Sequence, residues 1–497
     1  MISILVASSY FLRLDQKQWR RAKPYPPLAT LQVAASLRQG GHAVAVFDAM
    51  LAEHADYEAL LASFKPQLVL LYEDTFNFLS KMCLGKMRQA ACNMIASASR
   101  AGARIIAAGP DASDAPEPYL TAGAEAVLIG EGLTTLETLL SRMDANPQIA
   151  IAALLEGLNG VAAPAVTQAA VAKGTGVMMS PQRPPLPAWD LIDVERYRSI
   201  WRQAHGFFSL NMAASRGCSF RCNWCAKPIW GNRYLQREAT EIAAEMAYLK
   251  RSFDPDHIWF ADDIFGLHVD WVREFATAAQ ATGGMVPFTI QTRADLVSTA
   301  MASALEGAGC REVWIGAESG SQRILDAMNK GTTVEQVCTA RARLATQGIR
   351  VGFFIQLGYL DEQLEDIIAT RDLIDRARPD DIGVSVSYPL PGTKFYEQVK
   401  AQLSAESRWQ ESNDLEMMFQ GTYRTAFYRA VRDLLHNQVA IEQPVACEDR
   451  DAYLASRNLL QRRWSNLIAD ERWFRTDASS PGQATTAPAD LAVHHGD

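Results

Sequence analysis

The stretch Arg216-Gly217-Cys218-Ser219-Phe220-Arg221-Cys222-Asn223-Trp224-Cys225-Ala226-Lys227 decides how the middle of this chain is read. Cys218, Cys222 and Cys225 follow a C-x3-C-x2-C spacing, with a glycine just before them and basic residues around them. Three thiolates can hold three irons of a [4Fe-4S] cluster and leave the fourth iron open. A cluster that only carries electrons normally has four protein ligands, so the open position points to a reaction centre. A zinc site would want a fourth Cys or His at short spacing. The next cysteine is Cys310, and no histidine follows within twenty residues of Cys225.

Outward from this loop, apolar runs alternate with helical patterns. Gly206–Ala213 reads as a strand entering the loop and Glu238–Lys250 as a helix. Further strands are expected at His257–Phe260, Val286–Gln291, Glu312–Ile315, Val351–Leu357 and Ile382–Val386. Strands separated by helices imply a parallel α/β barrel, complete or partial, with chemistry at the carboxyl ends of the strands. Asp262, Asp263, Gln291, Arg293, Glu318, Ser319 and Gly358 fall at those ends. An acid there is often only a helix cap; Glu318 stands out because it lies between glycines in a strand-end turn.

Upstream, strands are expected at Ile2–Ala7, Ala43–Phe47, Leu68–Tyr72, Arg104–Ala108 and Ala126–Ile129, with helices at Leu28–Leu37, Ser80–Ser99 and Glu131–Leu140. This is the pattern of a doubly wound, mostly parallel sheet, whose ligands sit beyond the strands' carboxyl ends. Loops at those ends carry Asp74, Thr75, Asn77, Gly109, Asp111, Gly130 and Glu131. No G-x-G-x-x-G follows the first strand, which disfavours a nicotinamide dinucleotide. Residues 143–200 are rich in Pro and Ala and read as a crossing with little helix of its own.

The whole chain has 497 residues, is 48% hydrophobic and 21% charged, and carries a formal net charge of -8. That length implies more than one domain, and the acidic balance disfavours a broad nucleic-acid surface. The first residues lack a basic n-region, and no apolar run reaches membrane-spanning length. Eight scattered cysteines do not form a secreted disulfide framework. These features fit a cytoplasmic enzyme.

Two groups of motifs resemble one known family. Pro26-Pro27-Leu28, Gly40-Gly41-His42 with Asp48, Ala108-Gly109-Pro110 and Gly130-Glu131-Gly132 look like the N-terminal domain of cobalamin-dependent radical S-adenosylmethionine enzymes. The three cysteines, Phe260-Ala261-Asp262-Asp263, Gln291-Thr292-Arg293 and Gly316-Ala317-Glu318-Ser319-Gly320-Ser321 look like the cluster motif and strand-end motifs of that superfamily. The resemblance spans about residues 1–395. It implies an α/β fold: a Rossmann-like cobalamin-binding-type sheet over 1–142, a crossing over 143–200 and a partial, six-stranded radical SAM barrel over 201–395. A helical region over 396–475 and a disordered tail over 476–497 complete the expected order. The D-x-H-x-x-G motif of methionine synthase-like domains is missing; Met50 stands two residues after Asp48, so no cobalt ligand can be named.

The implied cofactors are a [4Fe-4S] cluster, S-adenosylmethionine and cobalamin, with Cys218, Cys222 and Cys225 as metal ligands. Glu318 would accept from a ribose hydroxyl or the amine, and Arg293 would meet the carboxylate. The implied reaction makes a 5′-deoxyadenosyl radical and methylates an unactivated carbon of a small-molecule substrate, such as a biosynthetic intermediate. An external donor such as flavodoxin or ferredoxin would reduce the cluster. Two alternatives stay open: cobalamin-dependent cyclisation, rearrangement or oxidation without net methyl transfer, and a cluster-bearing redox or binding protein. His205, facing cobalamin or substrate, and Tyr388, in a turn closing near S-adenosylmethionine, are the candidate catalytic residues; Met417, Met418 and Tyr423 are candidates to line a pocket.

Overall fold

A computed structural model describes residues 1–76, 85–146, 149–164, 185–225, 233–403, 415–443 and 449–476. Asn77, the start of the helix expected at Ser80 and the tail from 477 onward lie outside the described residues.

Two parallel sheets organise the chain. The first contains β1 (Ser3–Ala7), β2 (Ala43–Phe47), β3 (Leu68–Tyr72), β4 (Arg104–Ala108), β5 (Ala126–Leu128) and β6 (Val161–Ala162), in the order β2-β1-β3-β4-β5-β6. Only β6 runs antiparallel to its neighbour. Alternate residues of the central strands enter separate cores. Ile4, Val6, Leu68, Leu70 and Ile106 face one side, and Leu5, Ala7, Val69, Leu71 and Ile105 face the other. Helices must therefore cover both faces.

The second sheet contains β7 (Ser209–Met212), β10 (His257–Phe260), β11 (Phe288–Thr292), β12 (Cys310–Glu318), β13 (Arg350–Leu357) and β14 (Asp381–Val386), in the order β14-β13-β12-β11-β10-β7. It is the expected six-stranded partial barrel. Between β7 and β10 a short antiparallel pair, β8 (Ser215–Gly217) with β9 (Tyr234–Gln236), brackets the cysteine loop. Ile258, Ile290, Val313, Ile315, Val351, Phe353 and Ile355 are buried on the helix-covered face. The opposite face lines the lumen.

The crossing differs from its sequence reading. Asp193 caps a twelve-residue helix, Val194–His205, by accepting from Glu195 N–H. Val194, Tyr197 and Trp201 form its buried stripe, a three-and-four spacing that outweighs the proline-rich composition before it. One continuous core runs from Ile4 and Leu31 through Trp189, Tyr197 and Trp201 to Phe208 and the barrel. The two sheets are joined by packing, so their carboxyl ends hold a fixed relation. Among the described residues no helix is long and apolar enough to cross a membrane.

Candidate active site

The cysteine loop leaves β8 at the carboxyl end of the barrel and is pinned from several sides. Fully buried Asp262 accepts from Ala214 N–H at 3.0 Å and from the Ser215 hydroxyl. Burial pushes its carboxyl up to about 7 against the opposing effect of those bonds. Gln291 Nε2 donates to the Asp262 carbonyl at 2.6 Å. Asp262 and Gln291 thus brace the strand that feeds the loop, and Asp263 lies partly exposed beside them. Asn223, between two cysteines, donates its backbone N–H to Met328 O at 3.1 Å and Nδ2 to Ala327 O at 2.7 Å. It also accepts from Tyr359 OH at 2.9 Å. Cys218 is buried, while Cys222 and Cys225 are partly exposed.

Cations crowd the thiols. Arg293 is buried, makes two 3.0 Å bonds to Asp295, lies 3.8 Å over the Phe220 ring and places Nη1 3.8 Å from Cys222 Sγ. Glu318 takes φ of +60°, a left-handed conformation uncommon for a side-chain-bearing residue. Its carboxylate pairs with Lys330 Nζ at 2.6 Å, and both are buried. Burial works to lower the Lys330 pKa, but the Glu318 and Cys222 charges outweigh it and leave the ammonium above its ordinary value. A Cβ on Gly316 would come within 2.6 Å of both Glu318 Oε1 and Lys330 Nζ, so this glycine makes room for the pair.

Lys330 and Asn223 escaped the sequence reading. The available signal for Lys330 was its turn, Asn329-Lys330-Gly331, where both neighbours have positive φ. Ser319 turns inward to the helix Leu364–Ala377, 3.3 Å from the Thr370 hydroxyl, and accepts from Ser321 N–H. Gly358 ends β13 and donates to Glu362 at 2.6 Å; Met417 covers it. Tyr388 lies partly buried just past β14. Tyr423 is fully buried and donates to Glu471, so it belongs to the core of the helical region and does not line a pocket.

His205 is elsewhere. It closes the helix that precedes β7, so it lies at the amino ends of the strands, where Nε2 is 3.1 and 3.0 Å from the Arg21 and Ala22 carbonyls. The sequence placed it near the barrel segment; the direction of β7 puts it at the far end from the cysteines.

The first sheet presents its own set of strand-end groups. Glu73 accepts from Ser9 N–H at 2.6 Å, and burial pushes its carboxyl up to about 7. Asp74 accepts from Ala29 and Phe76 N–H groups, at 3.0 and 3.1 Å. Asp111 pairs with Arg88 and accepts from Tyr119 OH at 2.8 Å. Gly130 N–H donates to Ser113 at 2.9 Å. Gly109 has φ of +141°, and a Cβ there would lie 2.6 Å from Glu73 Cβ, so the turn after β4 packs against Glu73 and only glycine fits there. The Thr75 hydroxyl is buried with no hydrogen-bond partner among the described residues. Glu131 reaches out of this sheet and forms a buried ion pair with Arg216, two residues before Cys218.

Among the described residues, no three His, Cys, Asp or Glu side chains converge on a single-ion site. Residues 212–374 match the radical SAM superfamily. The chain is an enzyme with a radical SAM domain. Such enzymes work with S-adenosylmethionine and a [4Fe-4S] cluster, and the three cysteines lie within the matched segment. The chain is 24% identical over 386 residues to an uncharacterized methyltransferase of Pyrococcus horikoshii, covering 75% of this chain and 78% of that one. In fold it is similar to the cobalamin-dependent S-adenosylmethionine radical enzyme OxsB with aqua-cobalamin bound. The TM-score is 0.67 and the identity 16%, with 95% of this chain and 72% of that chain covered. The radical S-adenosylmethionine methyltransferase TsrM from Kitasatospora setae, with cobalamin and a [4Fe-4S] cluster bound, gives a TM-score of 0.62 at 17% identity, covering 81% and 79%.

Proposed function

We propose that this radical SAM enzyme uses cobalamin as well as a [4Fe-4S] cluster to place a methyl group on an unactivated carbon of a small molecule. One observation carries the reading: the Glu131–Arg216 pair brings the carboxyl edge of the Rossmann-type sheet against the strand that delivers the cysteines. A ligand on the first edge would therefore face a ligand on the second.

The residues suit both groups. Cys218, Cys222 and Cys225 are the iron ligands of this reading, with Arg293 and Lys330 offsetting the negative charge of thiolates and cluster. Arg293, Lys330 and Glu318 also offer charge-assisted hydrogen bonds to the amine and carboxylate of S-adenosylmethionine. On the first sheet, the buried Thr75 hydroxyl, which has no hydrogen-bond partner among the described residues, stands at the carboxyl edge where it suits the amide fringe of a corrin. When bound, these groups supply one-electron cleavage of the sulfonium and a transferable methyl group, while the protein orients them and excludes water.

The test is anaerobic reconstitution followed by quantification of iron, sulfide and corrinoid, then incubation with methyl-labelled S-adenosylmethionine. Stoichiometric corrinoid that acquires the label is the expected result. Reductive cleavage by a protein that binds no corrinoid would overturn the cobalamin reading. Corrinoid that never exchanges label would favour cyclisation, rearrangement or oxidation instead.

A further inference from the structure

The lumen of the partial barrel forms a chamber of definite chemistry. Its floor is a chain of polar side chains at the amino ends of the strands. Tyr25 OH lies 3.0 Å from Ser209 Oγ, which lies 2.8 Å from His257 Nδ1; His257 Nε2 lies 2.9 Å from Thr289 Oγ1. Glu312 continues the chain, 3.4 Å from Thr289 and 3.2 Å from Trp314 Nε1. Burial holds the His257 imidazole down at about 4, so this floor stays uncharged at His257 near neutral pH.

Above the floor the wall changes character. Trp259, Trp314 and Phe354 occupy inward strand positions and are only partly buried, although Ile258, Ile315 and Phe353 beside them are fully buried on the outer face. Solvent therefore reaches these rings from the lumen. Trp314 lies flat on the backbone of Gly352, where a Cβ would meet three indole carbons at 2.6–2.7 Å. Phe354 stacks against it face to face, with centroids 4.9 Å apart and planes 29° apart. With Trp259 these rings give the wall aromatic faces and edges for stacking.

Among the described residues, one polar atom in this wall stands without a partner. Asn211 is nearly fully buried at an inward position of β7, level with Trp259. Its Nδ2 donates to Pro26 O at 3.0 Å, which fixes the amide orientation, and its Oδ1 accepts from nothing. A buried acceptor left in that state is destabilising unless a ligand donor meets it. The nearest formal charges among these strands' inward residues are Glu312 with Arg350 at the floor and Arg293 with the Glu318–Lys330 pair at the mouth.

We infer that this chamber recognises the substrate, and that the portion it takes is neutral, flat and unsaturated, with an N–H or O–H group that donates to Asn211 Oδ1. The inference rests on the radical-enzyme reading, since it assigns the chamber to that enzyme's substrate. The rings supply stacking area, Asn211 sets which edge of the molecule points at β7, and the cysteine loop lies over the opposite, open end.

The test uses the anaerobically reconstituted holoenzyme and equilibrium dialysis against 2-naphthol, decahydro-2-naphthol and naphthalene, each measured by mass spectrometry. The aromatic alcohol should bind about tenfold tighter than its puckered, saturated counterpart, the scale of a favourable stacking contact. It should also bind roughly three- to tenfold tighter than naphthalene, the scale of one hydrogen bond. Asn211→Leu should erase the second preference and keep the first, and Trp314→Ala should erase the first. Iron content per chain checks that each variant has folded, and Trp314→Phe, which keeps a ring, should retain most of the first preference. Equal binding of the flat and puckered alcohols by the wild type would overturn the inference without any variant. Selective binding by a holoenzyme that does not cleave S-adenosylmethionine would support the chamber and sink the radical reading, so the two can fail separately.

Discussion

The carboxyl edges of the two sheets use buried acids in opposite ways. On the first sheet, Glu73 and Asp74 accept from backbone N–H groups, and Asp111 is held by Arg88 and Tyr119. These acids fix the shape of loops, and beside them stands the buried Thr75 hydroxyl. On the barrel, the acids hold cations in place beside sulfur: Asp295 orients Arg293, and Glu318 orients Lys330. The first edge is built to accommodate a large neutral face and the second to hold charge. A radical enzyme needs both, because a diffusible radical demands close walls while a reduced cluster and a sulfonium demand compensating charge.

The largest break of this contrast comes from the sulfurs. Replacing any one of Cys218, Cys222 or Cys225 by Ala should abolish iron incorporation and reductive cleavage of S-adenosylmethionine, read by iron analysis and product mass spectrometry. No substitution on the first edge should remove iron in this way. Retention of a full cluster by Cys222→Ala would mean that the ligand set is not the one in the loop.

The joint between the edges comes next. Glu131 and Arg216 are both almost wholly shielded from solvent. Removing one partner leaves a buried charge uncompensated, so Glu131→Gln or Arg216→Met should destabilise the protein by about 3–5 kcal/mol in denaturant unfolding. The paired change Glu131→Gln with Arg216→Met should recover a large part of that loss. Destabilisation that is simply additive would show that the two side chains do not act as a pair.

Much of this architecture was legible in the sequence. Leu68–Tyr72, Arg104–Ala108 and His257–Phe260 form strands at the expected bounds because they are short, apolar or aromatic and bounded by polar turns. The β8 and β9 pair was not legible: three-residue strands carry too little alternation to register. The Glu131–Arg216 contact spans 85 positions, and no local pattern encodes it. Lys330 was missed for a related reason. Its role is set by the left-handed turn at Glu318 and the space at Gly316, which only the folded chain brings together. The strand ends could be read; the partners chosen there could not.

The Glu318–Lys330 pair sharpens the contrast within the barrel edge itself. Lys330→Met removes a buried cation beside both Glu318 and Cys222 and should weaken S-adenosylmethionine binding about ten- to hundredfold, the scale of a hydrogen bond to a charged group. Gly316→Ala should act in the same direction by pushing the pair apart. Equilibrium binding of S-adenosylmethionine to the reconstituted protein reads both. Unchanged affinity in both variants would confine Lys330 to a structural role.

The smallest effect concerns another buried acid, Glu362, in the turn after β13. Glu362 is fully buried, accepts from Gly358 N–H through Oε2, and leaves Oε1 without a hydrogen-bond partner among the described residues. Burial pushes its carboxyl up to about 8, from 4.5 in an open chain. Between those two values the folded protein keeps a proton that the unfolded chain has released. This group's contribution therefore makes stability fall as pH rises from 4.5 and level off above about 8. Glu362→Gln keeps a neutral side chain whose carbonyl can still accept from Gly358, so it should flatten that fall across the window. A melting-temperature series from about pH 5 to about pH 9 measures it, with Asp366→Asn as a comparison, because Ser321 and Arg323 hold the Asp366 carboxyl below its ordinary value against burial. Asp366 loses its stabilising charge only below the ordinary carboxylate range, so its variant should leave the slope across this window unchanged. An unchanged slope in Glu362→Gln would mean that water reaches the carboxyl, and that Met417 and Tyr428 do not seal the end of β13.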